Sequence, residues 1–128
     1  MSTVDELLEK LGIDKDHFLN ISGLPIASTF SAIKIRWLKK FVPLVRETCR
    51  EGKCLAGTID TWIVWNLIRG LHVTDVTNAS RTLLMNLSTL SWDNQLTKSF
   101  SIDETILPEI RSSSEIFGKV NDLSLIHI

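Results

Sequence analysis

A chain of 128 residues, 44% hydrophobic and 23% charged, is long enough for one globular domain and has the composition of one. A formal net charge of −1 gives no electrostatic case for nucleic acid or an anionic membrane surface as a partner. No charged-then-apolar leader opens the chain and no apolar run approaches the length of a membrane span, so a cytoplasmic protein with no membrane span is expected.

Residues 3–11 read as a short amphipathic helix. Thr3 and Glu6 form a capping box, Val4, Leu7, Leu8 and Leu11 share one stripe, and Gly12 is placed to end it. Asp14 can cap a further turn through Phe18, after which Gly23, Leu24 and Pro25 break the chain. Over 28–42 the residues Phe30, Ile33, Trp37, Leu38, Phe41 and Val42 fall at helical spacing until Pro43 interrupts the pattern. The opposite side carries Lys34, Arg36, Lys39 and Lys40, a stripe better read as a solvated face than as a phosphate grip. Residues 44–51 make a short charged helix with Gly52 as its stop. Cys49 and Cys54 have no His or Cys cluster beside them to complete a zinc site, so free thiols are expected. The Asn-x-Ser/Thr triplets at Asn20, Asn78 and Asn86 imply no glycosylation without a secretory signal.

The chain is organised around residues 57–85. Thr58 can cap a helix, Asp60 puts negative charge in its first turn, Arg69 lies in its last turn, and Gly70 suits a left-handed stop. Ile59, Trp62, Ile63, Val64, Trp65, Leu67 and Ile68 leave almost no polar face, which predicts a helix buried on most sides. Leu71, His72 and Val73 alternate like a strand, 83–87 make a second strand, and 74–82 form the polar turn between them: an α/β core. In that turn Asp75, Thr77, Asn78, Ser80 and Arg81 either cradle a substrate or simply lock the two strands together, and residue type favours the lock. His72 has no catalytic partner at useful spacing, and His17 and His127 supply no pair, so His72 is read as structural. Trp37, Trp62, Trp65 and Trp92 are expected in the core rather than as a sugar-stacking platform. Ser91 can cap a helix whose Trp92, Leu96 and Phe100 share a face, and Pro108 precedes a final polar strand.

The strings GTIDTW at 57–62 and TDVTNASRT at 74–82, continued by WD at 92–93 and LPEIRSSSEIFG at 107–118, resemble the signatures of the glycerol kinases in the FGGY carbohydrate kinase family. The resemblance covers 23–118 and is specific, because several long strings agree in order. It implies an incomplete ribonuclease H-like, actin-like α/β domain, the family's N-terminal domain, over 1–118, with 119–128 an unmatched and artefactual tail. The string GLPIASTFSAIKIRW at 23–37 resembles a family signature that begins with a substrate-contacting tyrosine and runs through a lysine and a tryptophan. Lys34 and Trp37 match it, while Thr29 stands at the tyrosine position. Threonine keeps a hydroxyl, but its oxygen sits closer to the backbone and it offers no ring. On residue type alone, helix capping is the better reading of Ser28 and Thr29.

What the resemblance implies for the intact protein is transfer of the ATP γ-phosphoryl group to a terminal hydroxyl of glycerol, giving glycerol 3-phosphate, with Mg²⁺ as the metal. In that family the phosphate-binding hairpin and an arginine–glutamate substrate pair lie upstream of this stretch. The catalytic aspartate and the nucleotide-binding second domain lie downstream. No catalytic, cofactor-binding or metal-binding residue is therefore expected here, Thr29 is the one substrate-binding candidate, and the fragment alone should be inactive. The implied partners are glycerol or a similar polyol and a second copy of the chain, not nucleic acid. Three alternatives stay open: a non-catalytic kinase-like paralogue acting as a binding protein, a stand-alone interaction module, and an FGGY kinase for another polyol or a sugar.

Overall fold

The computed structural model describes residues 3–114. The tail at 119–128, the end of the 107–118 string, His127 and the side-chain half of the Thr3 capping box lie outside that description. Helix α1 (Thr3–Leu11) buries Leu7 completely and lays Val4 and Leu8 against the core, as its stripe requires. The Asp14 carboxylate accepts the Asp16 N–H at 2.9 Å and starts the expected turn, which leads into α2 (Leu19–Ser22). Gly23 ends α2 at φ 73°, and a Cβ there would lie 2.5 Å from the Leu87 side chain, so both its backbone angle and its neighbour call for glycine.

Helix α3 (Ser31–Phe41) begins later than its apolar spacing suggests. Residues 27–30 fold into a turn closed by the Phe30 N–H on the Ala27 carbonyl at 3.2 Å, and Phe30, not Ser28 or Thr29, occupies the cap position. Pro43 does more than interrupt the helix. It opens α4 (Pro43–Arg50), where a residue without an N–H is tolerated because first-turn donors have no intrahelical acceptor. The basic stripe faces solvent and neighbouring elements: Lys40 pairs with Glu6 at 4.0 Å, and the Lys39 ammonium donates to the Ser101 carbonyl. The two cysteines are not free. The turn after α4 brings Cys49 and Cys54 to a Cα separation of 4.9 Å, and they are joined as a disulfide.

Helix α5 (Ile59–Leu67) leads to β1 (Val73–Asp75), followed by the single helical turn α6 (Val76–Ala79). Then come β2 (Met85–Asn86), β3 (Ser91–Trp92), α7 (Asn94–Ser99), a 3-10 turn at Glu104–Ile106 and β4 (Glu109–Arg111). β1 pairs with β4 in parallel, Val73 opposite Glu109 and Asp75 opposite Arg111, whereas β2 pairs with β3 in an antiparallel ribbon. The two expected strands are thus not joined to each other. The polar stretch that should have been their turn contains the last two residues of β1 and all of α6, and Leu83 at φ 70° redirects the chain into the second sheet. Trp92 belongs to β3, so the cap of α7 falls to Asp93, whose carboxylate accepts the Gln95 and Leu96 N–H groups at 2.9 and 3.1 Å.

The core joins α1 and α3 to the stretch 83–106 through Leu7, Phe30, Ile33, Leu84, Leu96 and Phe100. Burying each such side chain contributes roughly 1.5–3 kcal/mol. α5 stands outside this core. Thr61 is its buried residue, while Ile59 is 73% and Trp62 62% exposed. The expectation of burial on most sides fails because the described part of the sheet next to α5 has two strands and covers one side of the helix. The tryptophans follow suit: Trp37 and Trp62 are exposed, Trp65 and Trp92 half-buried, and none lies in the core.

Candidate functional site

In open α/β sheets ligands gather beyond the carboxyl ends of parallel strands. Because β1 and β4 run in parallel, both end on the same side, and their last residues are Asp75 and Arg111. Asp75 caps α6: its Oδ1 accepts the Asn78 N–H at 2.8 Å and the Asn78 side-chain amide at 2.8 Å. Burial pushes its carboxyl up, but the hydrogen bonds from the Asn78 N–H, the Ser113 hydroxyl and the Asn78 amide outweigh that and hold it below the ordinary aspartate range. The Thr77 and Ser113 hydroxyls meet at 3.1 Å, so the loop after β4 is tied to the loop after β1. Arg111 leans on Glu109 at 3.1 Å.

Of the five residues expected in the polar turn, then, Asp75, Thr77 and Asn78 come together at the sheet end. Ser80 and Arg81 do not. The Ser80 hydroxyl donates to the Thr77 carbonyl at 2.8 Å, and the Arg81 guanidinium lies over the Phe30 ring at 5.2 Å. The stretch behaves as a lock, although it locks β1 to α6 and to residues 111–113 rather than to β2. A second lock sits at the start of α5. The Thr58 hydroxyl bonds the Asp60 carboxylate instead of a helix N–H, and the buried Thr74 hydroxyl of β1 donates to the other Asp60 oxygen at 2.8 Å. His72 Nε2 meets the Ala56 carbonyl at 2.7 Å and its ring sits edge-on to Trp65, a structural use of the imidazole. A cleft of about 420 Å³ runs between residues 53–58 and α5, walled by Lys53, Leu55, Thr58, Trp62, Trp65 and His72. The Thr61 hydroxyl is buried beside it with no hydrogen-bond partner.

The N-terminal domain of the FGGY family of carbohydrate kinases matches residues 1–125. The chain belongs to that family. Glycerol kinase of Brucella anthropi is 50% identical over 127 residues, 94% of this chain and 26% of the relative. Glycerol kinase of Arabidopsis thaliana is 48% identical over 124 residues, 93% of this chain and 24% of the relative. Among solved structures, Plasmodium falciparum glycerol kinase with ADP superposes with a TM-score of 0.86 at 36% identity, over 98% of this chain and 26% of that one. Xylulose kinase from Rhodospirillum rubrum superposes with a TM-score of 0.79 over 98% of this chain and 25% of that one, and at 20% identity shows a shared fold. The chain spans about a quarter of the length of the relatives it matches. It is a partial ribonuclease H-like, actin-like domain of an FGGY kinase.

Within this FGGY domain Thr29 sits exposed in the 27–30 turn. That turn lies against the end of the TDVTNASRT stretch: Phe30 packs under Arg81, and the Ala32 N–H donates to the Thr82 carbonyl at 2.9 Å. Among the described residues no three His, Cys, Asp or Glu side chains gather at one point, and α6 is a four-residue turn. Two positioning contacts lie outside the expectations from sequence, the Asp93 cap of α7 and the Asp60–Thr74 bond. Asp93 was masked by the helical spacing of Trp92 with Leu96, though an Asp ahead of Asn94, Gln95 and Leu96 carries the cap signal. The Asp60–Thr74 bond carries no local signal, because its partners are 14 positions apart.

Proposed function

We propose that the complete protein is a glycerol kinase, using ATP and Mg²⁺ to phosphorylate a terminal hydroxyl of glycerol, and that this chain supplies part of its first domain. The observation that carries the reading is about 50% identity to bacterial and plant glycerol kinases over nine-tenths of the chain. Identity to FGGY kinases of other sugars is far lower at a similar fold, for example 20% to a xylulose kinase. A kinase of this kind must cradle the nucleotide phosphates, hold Mg²⁺, orient the acceptor hydroxyl and take its proton. In this reading those groups come from the rest of the protein, and closure between its two domains excludes water. The present residues contribute the frame: the doubly tied sheet end at Asp75 and Ser113, and the 27–30 turn that presents Thr29 toward the polyol. The bare apolar side of α5 is covered by further strands of the same domain. A cytoplasmic location belongs to the same reading.

A second reading keeps the kinase and changes the acceptor. It is favoured by Thr29, which withdraws the ring that the resembled signature places there and so suits a different polyol. One experiment separates the readings. The complete protein is assayed for ADP release with glycerol and with a panel of longer polyols and sugars, and the product is identified by mass. Glycerol-dependent turnover giving glycerol 3-phosphate supports the first reading, and turnover confined to another polyol supports the second. A folded complete protein that turns over none of them is a non-catalytic paralogue and removes both. The 128-residue chain alone is expected to show no activity above background.

A further inference from the structure

Cys49 and Cys54, expected as free thiols and found joined, take no part in the kinase proposed above. Cys49 lies at the end of α4, and Cys54 begins the strap that runs through residues 54–58 into α5. The Gly52 N–H on the Cys49 carbonyl at 3.1 Å and the Lys53 N–H on the Thr48 carbonyl at 2.8 Å fold the turn back on itself. That backbone, not chance proximity, sets the 4.9 Å between the two Cα atoms, inside the roughly 4.4–6.8 Å that a disulfide spans. The two sulfurs have different surroundings. Cys54 packs against the hydrophobic core, whereas Cys49 lines a surface hollow of about 240 Å³ with Lys39, Arg46, Arg50 and Asp103. The charged side chains of that hollow are held in place: Arg50 pairs with Glu47 at 3.4 Å, and Lys39 and Arg46 donate to the Ser101 and Lys40 carbonyls, so an external thiol reaches Cys49 from the surface.

We propose that Cys49 and Cys54 form a thiol-exchange site that low-molecular-weight thiols of the glutathione class reduce and re-form, and that its state sets how firmly the 54–58 strap is held. In reduction the thiolate of the external thiol attacks Cys49 Sγ, the protein S–S bond breaks, and Cys54 leaves as a thiolate that takes a proton from water. A second external thiolate attacks the external sulfur of the mixed disulfide and releases Cys49 as a thiolate. The protein disulfide has then gained two electrons and two protons, and two external thiols have become one external disulfide. The strap is where the effect is felt. Ala56 donates its N–H to the Ile106 carbonyl at 2.7 Å, its own carbonyl meets His72 at 2.7 Å, and Gly57 lies hard against Thr61. Reduction removes the covalent tie two residues before these contacts begin to hold, so the strap opens before the core does. The inference stands apart from the substrate of the complete protein.

The full chain is equilibrated with graded ratios of reduced and oxidised glutathione, natively and in concentrated guanidinium, then alkylated and read by mass at each cysteine. The two cysteines are expected to titrate together, with an oxidation constant at least about tenfold larger in the native chain, because the fold holds the pair at bonding geometry. A Cys54→Ser chain is expected to trap glutathione on Cys49, and reduction is expected to speed deuterium uptake at the Ala56 amide ahead of the amides of α1. Equal constants in the two states, independent titration of the cysteines, or cross-links between chains in place of the internal pair would overturn the proposal. So would Ala56 exchange that is indifferent to the redox state.

Discussion

Replacing Gly57 by alanine tests how tightly the strap is clamped to α5. A Cβ at residue 57 would lie 2.6 Å from the Thr61 methyl and 2.7 Å from the Thr61 Cβ. Neither side can give easily. Thr61 is a buried residue of α5, and the strap is fixed one residue earlier by the Ala56 bonds to Ile106 and His72. Overpacking of this kind costs about 1–3 kcal/mol. Gly57 does not have a positive φ, so alanine carries no backbone strain there. It also gains about 0.4–1 kcal/mol by restricting the unfolded chain. The balance is a net loss of up to about 2.6 kcal/mol, read as a lower urea midpoint at an unchanged slope together with faster exchange of the Ala56 amide. The opposite sign, a gain near the unfolded-chain figure alone, would refute the clamp and with it the packing of the strap on α5.

Three further outcomes follow from the same contacts. Asp93→Ala removes the cap of α7 and the acceptor of the Asn86 side-chain amide, and should cost about 1–2 kcal/mol by denaturant unfolding. Asp75 has its folded pKa lowered below the unfolded value of 3.8. Its stabilising contribution is therefore complete above that unfolded value and is lost as the pH falls through the lower, folded one. Asp75→Asn should flatten the acid limb of the stability–pH curve while leaving neutral stability within the roughly 0.5–2 kcal/mol of a cap change, and an unaltered acid limb would contradict the assigned hydrogen bonds. Thr29→Tyr in the complete protein should lower the KM for glycerol, and an unchanged KM would remove Thr29 from the polyol pocket.

Much of the fold was legible where the signal is local. The stripe of Val4, Leu7 and Leu8, the turn at Asp14, the stop at Gly23 and the polar strand after Pro108 all follow from spacing and capping chemistry within a few residues. What failed was long-range. No local pattern says that β1 takes β4 as its partner across 36 positions, so the nearer apolar run at 83–87 looked like the natural mate. The largely apolar α5 reads as buried because periodicity reports what a helix needs, not what the described chain supplies. Cysteine counting weighed metal sites and missed the pair, since only the fold-back after Gly52 shows that the two side chains meet. At the candidate site the strings carried the family and the polar composition carried the lock. Which of Asp75, Thr77, Asn78, Ser80 and Arg81 converge depended on α6, a turn too short to leave a periodic trace.

The central claim is that this chain is an incomplete first domain of an FGGY kinase, whose α5 face is completed by the rest of that protein. Trp62 reports on it directly, being 62% exposed here. Hydroxyl-radical footprinting of Trp62 in the 128-residue chain and in the complete protein compares the two environments. The account predicts strong labelling in the chain and at least several-fold protection in the complete protein, with half-buried Trp92 as the internal reference. Equal labelling of Trp62 in both would contradict it, because α5 would then face solvent in the whole kinase as well.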